Sequence, residues 1–313
     1  MDEFGRIARF FAPLAGPEGL GLGDDAALFT PAAGQQLVVS KDICVAGVHV
    51  PLGCAAQVVA RRALRPNLSD LAAMGAAPLG YLLGVSLPDQ INETWLSQFS
   101  DALAADQTEF GIKLWGGDSV RAPQDLSISM TILGAVPTGQ ALQRSGGRAG
   151  DDIYVSGQIG LAAAGLQIAL GRADGDEAWR CAYEAPQPRL ALGQALRGLA
   201  TAAIDVSDGL VADVGHLADA SGCQAILTLA DIPIGPGLPL DDVDAIAAGD
   251  DYELAFTAGP ERREEIFTLS ETLGLSLTRI GAMRARAQGD AAILVLGDEG
   301  SPISLKRQGW RHA

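Results

Sequence analysis

The sequence predicts an α+β fold of mixed helix and sheet layers, and three observations carry that prediction. Short apolar runs of strand length alternate with longer runs at helical period. The 39 glycines and 16 prolines punctuate the whole chain rather than one low-complexity block. Of 313 residues, 48% are hydrophobic and only 5% aromatic, which is ample for one large domain or two of ordinary size. The same hydrophobicity excludes an intrinsically disordered chain, and no fixed-period repeat marks a solenoid.

Taken in order, 36–40 (QLVVS) and 79–86 (LGYLLGVS) are predicted strands. The pair Arg65-Pro66 falls in an apolar stretch where proline should kink a helix or mark its start. Residues 93–110 form an amphipathic helix that Gly111 stops, and KLWGG follows as a strand running into a loop. Residues 126–136 (LSISMTILGAV) alternate as a half-buried strand does. The polar, glycine-rich stretch 137–152 is the expected domain boundary, giving domains 1–137 and 138–313. The second half restarts with a strand at 153–156, a Gly/Ala-rich helix from Gly160, a helix at 186–199, a strand at 203–206 and a helix at 209–220. A proline-rich loop (IPIGPGLP) precedes a last strand at 252–257.

The charge narrows the function. There are 38 acidic and 22 basic side chains, a net charge of −16, and the pI is near 4.5. Duplex nucleic acid is therefore not an expected partner, because neutralising phosphates needs clustered Lys and Arg. A phosphate-handling enzyme is not excluded, since divalent metals can bridge carboxylates to phosphates. Cys44, Cys54, Cys181 and Cys223 form no CxxC pair, the usage of a reducing cytoplasm. The N-terminus opens with acids, and no apolar run reaches about 18 residues, so neither export nor a membrane is expected.

The acids are more informative in position than in number. Asp24 and Asp25 follow Gly21-Leu22-Gly23, Asp42 ends the strand QLVVSK, and Asp70 sits in NLSDLAAMG. Asp118 follows Gly116-Gly117, Asp205 and Asp208 bracket Val206-Ser207, and Asp250 and Asp251 follow Gly249. Strand ends running into glycine turns are where mixed folds expose chemistry, and carboxylates converging there suit magnesium and its phosphates. Each site taken singly is equally well explained as turn chemistry or a helix cap; Ser207-Asp208 ahead of GLVADVG could be no more than a cap. Jointly, so many acids beside glycines would repel one another without cations. His49 in VAGVHVP fits a packed core histidine or a functional one. Arg144 fits a solvated arginine or a planar fork on a phosphate. There is no GxxxxGK[ST] loop and no kinase-type catalytic loop.

Read in order, GLGDDAAL, SKDICVAGVHV, NLSDLAAMGAAP, WGGDS, LQRSGGRAGD, AIDVSDGLVADVGH and AGDDYELAF resemble the motifs of the thiamine-monophosphate kinase family over nearly the whole chain. The resemblance implies the two-domain fold shared with aminoimidazole ribonucleotide synthetase. It assigns ATP and magnesium binding and dimerisation through the sheet to an N-terminal α/β domain, and completion of the nucleotide and substrate site to a C-terminal α/β domain. It implies a homodimer and transfer of the ATP γ-phosphoryl group to thiamine phosphate with several Mg²⁺ ions. It makes Asp24, Asp25, Asp42, Asp70, Asp118, Asp205 and Asp208 magnesium ligands. Gly117, Asp118, Arg144 and Ser207 match nucleotide positions, and His49, Asp250 and Trp310 match thiamine phosphate positions. An aromatic face such as Trp310 suits a cationic ring.

Four residues depart from the family pattern: Lys41 for Thr beside Asp42, Asp250 for Glu, Arg65-Pro66 before NLSD, and Val50 for an aromatic. None removes a carboxylate, so activity is expected, with no general base because a phosphate oxygen is already anionic. Two other readings are a superfamily member acting on a purine precursor or selenide, and a catalytically dead metal or nucleotide binder.

Overall fold

The computed structural model describes residues 3–297, 300–305 and 309. Contacts divide the chain into two compact units, residues 1–71 with 76–139, and residues 72–75 with 140–313.

The first unit begins with the short helix α1 (Glu3–Arg6) and is built on a four-stranded sheet. Its strands are β1 (Gln35–Val45), β2 (Ala77–Leu87), β3 (Lys113–Arg121) and β4 (Ser127–Pro137), in the order β1-β4-β2-β3. All neighbours are antiparallel except β2 and β3, which run parallel. Helices α2 (Ala56–Ala73) and α3 (Glu93–Phe110) cover one face, where Leu64, Leu68, Phe99 and Leu103 are buried with Tyr81, Leu83, Met130 and Ile132.

Local chemistry explains α3. Asn92 accepts the Trp95 N–H at 2.9 Å and Gly111 leaves the helix with φ 65°, the expected start and stop signals. Helix α2 continues through Pro66 rather than ending there. Its preceding residue, Arg65, is buried: it forks onto Asp106 (3.0 and 2.7 Å), reaches Glu109 at 2.9 Å and lies 5.0 Å from the Phe110 ring centre. The departure at Arg65-Pro66 thus ties α2 to α3.

Two strands outrun their sequence signals. Strand β1 continues through Lys41 and Asp42 to Val45, because these residues pair with Thr131 and Met130 of β4 and an edge strand with one open face tolerates polar residues. Strand β3 continues through Gly116, Gly117 and Asp118, paired with Leu82, Leu83 and Gly84. A Cβ on Gly117 would sit 1.9 Å from the Leu83 carbonyl oxygen, so this glycine serves close strand approach rather than a turn.

The second unit holds a six-stranded sheet. Its strands are β5 (Asp152–Ser156), β6 (Ala202–Asp205), β7 (Cys223–Thr228), β8 (Leu254–Ala258), β9 (Leu277–Ala285) and β10 (Ile293–Leu296), in the order β10-β7-β9-β5-β8-β6. Only β10 and β7 are parallel. Its helices are α4 (Leu161–Ala169), α5 (Glu177–Glu184), α6 (Leu190–Ala195), α7 (Leu210–Ala220), α8 (Asp242–Ile246) and α9 (Arg263–Leu273). The central strands are buried on both sides with period two. Ile153, Val155 and Ala255 join a core with Leu210, Val214 and Leu217 of α7, whereas Tyr154, Leu254 and Phe256 join one with Leu192, Leu196 and Ile266. The expected helix at 186–199 contracts to α6, since Pro186 and Pro188 disfavour helix before them and Gly198 turns left-handed with φ 73°. Helices α5, α8 and α9 and strands β7, β9 and β10 emerge only in the structure.

Candidate active site

Within the first unit, the site residues fall into two groups. Asp24, Asp25, Gly117 and Asp118 line one cavity, together with Trp115 and Ser119. Asp24 and Asp25 sit in an irregular segment whose backbone folds on itself, the Asp25 N–H donating to Asp24 Oδ1 at 3.2 Å. Asp118 lies on the edge strand β3.

The second group is at the other edge. On β1, Ser40 and Asp42 share the covered face, and the Ser40 hydroxyl donates to Asp70 Oδ2 of α2 at 2.5 Å. Desolvation raises the Asp42 carboxyl pKa, opposed in part by the neighbouring His49. His49 Nδ1 accepts the Val45 N–H at 3.1 Å, so a neutral ring carries its proton on Nε2. Lys41 points to the opposite face of β1, donating to Ser129 Oγ on β4 at 2.5 Å, and is turned away from Asp42. Strands β1 and β3 are the two edges of the sheet, three strand spacings or about 14 Å apart. The expectation that Asp42 and Asp118 stand at strand ends running into glycine turns is therefore corrected: both lie inside strands, and on opposite edges.

Within the second unit, Asp205 ends β6 and is buried. Ser207 and Asp208 form the turn into α7, and neither side chain caps that helix. The buried Asp213 side chain instead faces the turn: its Oδ2 accepts N–H bonds from Ser207 (2.9 Å), Asp208 (3.0 Å) and Gly209 (3.1 Å). Burial, with the charge of Asp208 adding to it, pushes the Asp213 carboxyl up to about 7 against those bonds. The simple cap reading of Ser207-Asp208 is thus replaced by a held turn.

The segment carrying Asp250 docks on the same turn. The Asp250 N–H donates to the Ser207 carbonyl (2.9 Å) and the Tyr252 N–H to the Val206 carbonyl (2.8 Å). A Cβ on Gly249 would sit 2.3 Å from the Ser207 oxygen. Asp250 has φ 76°, a left-handed conformation that Asp adopts more readily than most residues, and its Oδ1 accepts the Tyr252 hydroxyl at 3.2 Å. The Asp-for-Glu departure suits this backbone. Asp251 belongs to the scaffold: it accepts N–H bonds from Gly160 (2.9 Å) and Ala162 (3.3 Å) at the start of α4, and burial pushes it up to about 8. Glu253 is buried and accepts from Ser156 Oγ (2.5 Å) and from both arms of the Arg189 fork.

Arg144 is exposed, on a segment fixed by the Ser221 hydroxyl, which donates to the Arg144 carbonyl (3.0 Å) and accepts the Gly147 N–H (3.1 Å). Trp310 lies outside the described residues; Gly309 beside it is described and lies against the Asp208 backbone. Sequence reasoning missed Asp213, Glu253 and Arg189. The first had a signal, an acid four residues after Gly209, but the Arg189–Glu253 pair spans 64 positions and left none.

Among the described residues, no three histidine, cysteine or carboxylate side chains lie close enough to hold a metal ion by themselves, and no helix is long and apolar enough to cross a membrane. The oxygen-only donor set nevertheless fits magnesium, which keeps waters and binds through one or two carboxylates plus substrate phosphates.

The chain is similar to known proteins over nearly its whole length. Residues 23–136 match the AIR synthase related protein, N-terminal domain, and residues 148–293 the corresponding C-terminal domain. The chain is 40% identical over 324 residues to a thiamine-monophosphate kinase of Escherichia coli O157:H7, covering 99% of this chain and 98% of that protein. A crystal structure of thiamine-monophosphate kinase from Stenotrophomonas maltophilia K279a is 42% identical, with a TM-score of 0.80 over 90% of this chain and 91% of that one. A structure of AaThiL complexed with AMPPCP and TMP is 25% identical, with a TM-score of 0.77 over 93% and 91%. The fold and the two matched domains define an α+β protein of the AIR synthase related class. Within that class, the chain belongs to the thiamine-monophosphate kinase family and is a phosphotransferase.

Proposed function

We propose that this enzyme transfers the γ-phosphoryl group of ATP to the phosphate of thiamine phosphate, giving thiamine diphosphate and ADP, as the last step of thiamine diphosphate synthesis in the cytoplasm. The observation that carries the reading is the cavity that joins Asp24, Asp25, Gly117 and Asp118, in a chain alike over its full length to thiamine-monophosphate kinases.

The main physical obstacle is repulsion between two phosphate-bearing reactants. Asp24, Asp25, Asp42, Asp70, Asp118, Asp205 and Asp208 would hold several magnesium ions, which when bound neutralise the phosphates and favour in-line transfer. Arg144 and the Gly117–Asp118 backbone would orient the triphosphate with Ser207. His49 would donate from Nε2 to the acceptor, and Asp250 and Trp310 are the other residues proposed to contact it. The attacking phosphate oxygen forms its bond to the γ-phosphorus as the bond to the bridging oxygen breaks and leaves with ADP. That oxygen is already anionic near neutral pH, so no side chain is needed to remove a proton.

The protein would act as a homodimer. The uncovered face of the first sheet exposes Leu37 (42%), Val39 (59%), Ile43 (50%), Leu82 (39%) and Val120 (45%), an apolar surface of the kind that marks an interface. A second copy packed there would also let carboxylates at opposite sheet edges serve one set of phosphates. The test is ADP release with thiamine phosphate, with thiamine, and without acceptor. ADP formed only with thiamine phosphate is the expected result; no turnover with any acceptor despite ATP binding would overturn it.

A further inference from the structure

We propose that Asp213 is a positioning residue that holds the 205–209 turn in the form that receives the nucleotide, and through it fixes the segment carrying Asp250. The proposal rests on the phosphoryl-transfer reading above. It begins from a geometric anomaly: helix α7 has no side-chain cap at its start, yet the side chain of Asp213 in its first turn takes three consecutive N–H bonds from the turn before it.

One oxygen accepting from Ser207, Asp208 and Gly209 draws three successive peptide N–H groups toward a single point. That curls the turn and fixes the directions in which the Ser207 and Asp208 side chains leave it. Asp213 is only 3% exposed, so water cannot take over as acceptor if the carboxylate is removed. The curled turn then presents the Val206 and Ser207 carbonyls to the Tyr252 and Asp250 N–H groups, and it leaves room for Gly249 only because that residue lacks a Cβ. One buried carboxylate therefore sets the backbone of two segments, one proposed to meet the nucleotide and the other the acceptor. Groups that hold first contacts in place commonly matter about 10- to 100-fold for metal affinity or activity.

The test separates acceptor geometry from charge. Asp213→Asn keeps an oxygen at the same reach without the charge, Asp213→Glu keeps the charge with one methylene too many, and Asp213→Ala removes both. Binding of AMPPCP with Mg²⁺ to the full-length chain is measured by titration calorimetry, with circular dichroism reporting the fold. Asn is expected to bind close to wild type, while Ala and Glu bind about 10- to 100-fold more weakly. Should Ala fail to fold, the Asn and Glu pair still decides. A folded Glu variant that binds as wild type overturns the proposal alone. Wild-type protein that does not bind AMPPCP overturns the functional reading and this proposal with it.

Discussion

Two groups of acids, one in each unit, are held in opposite ways. In the first, Asp24, Asp25 and Asp118 are exposed along the rim of an open sheet, where water and salt screen their mutual repulsion. In the second, Asp205, Asp213 and Glu253 are buried, and the bonds of Asp213 and Glu253 show how: each takes hydrogen bonds from backbone, hydroxyl or guanidinium donors. The difference teaches that one carboxylate set is held loosely and the other is built into the scaffold. Substitutions at the exposed acids of the first unit should therefore alter function with little effect on stability, whereas those at the buried acids of the second should lower stability.

The largest expected effect falls on turnover. Asp70→Asn and Asp208→Asn should each reduce ADP release with thiamine phosphate by about 100-fold or more, in protein that still unfolds cooperatively on heating. Asp208→Asn should also leave the second unit no less stable, since it removes the charge that crowds Asp213. Wild-type rates in both variants would break the assignment of these acids.

Next in size is Arg189→Ala, which strands the buried Glu253 carboxylate. It should cost about 3 kcal/mol in denaturant unfolding, and adding Glu253→Gln should recover part of the loss. No comparable loss is expected for Asp118→Asn on the exposed rim, so equal losses would erase the contrast between the units. On the open sheet face, Val39→Lys should shift sedimentation from dimer to monomer without unfolding the first sheet.

The legibility of the chain follows the same physical divide. Helix α3 was readable to its ends because Asn92, the apolar period and Gly111 are all local signals. The β5 and β8 cores were readable from short apolar runs. Strands β1 and β3 overran their expected ends because pairing with β4 and β2 decides their length, and pairing is not written locally. The acids beside Gly21–Gly23 and Gly116–Gly117 could be singled out from sequence, and the structure brings them to one cavity. The grip of Asp213 on the Ser207 turn and the Arg189–Glu253 pair depend on three-dimensional neighbours and stayed hidden. The strongly acidic composition, which made duplex nucleic acid an unexpected partner, includes both a solvated rim and a donor-satisfied interior.

The smallest expected effect is on pH dependence, where the buried acids pull in opposite directions. Burial raises Asp251 to about 8, above the unfolded value of about 3.9. Its contribution to stability is fully present below the unfolded value and is lost as pH rises from there to about 8. Asp152 shows the reverse. Burial would raise it, but hydrogen bonds from Arg263 (2.6 and 2.8 Å) and Arg279 (3.3 Å) hold it below the ordinary value. Its contribution is present above the unfolded carboxylate range and lost as pH falls through its lowered value. Asp251→Asn should therefore flatten the fall in melting temperature between the unfolded carboxylate range and about pH 8, and Arg263→Ala should lower the melting temperature near neutral pH and make its fall in acid shallower, both read from melting curves across pH.

The central claim of the proposed function is that aspartates of each unit hold magnesium for phosphoryl transfer. Its most direct test is a magnesium titration of ADP formation at saturating ATP and thiamine phosphate, comparing wild type with Asp118→Asn and Asp208→Asn. The account predicts no turnover without divalent cation and a higher magnesium requirement in both variants. Full turnover in the presence of a chelator, or a magnesium dependence unchanged by either substitution, would contradict it.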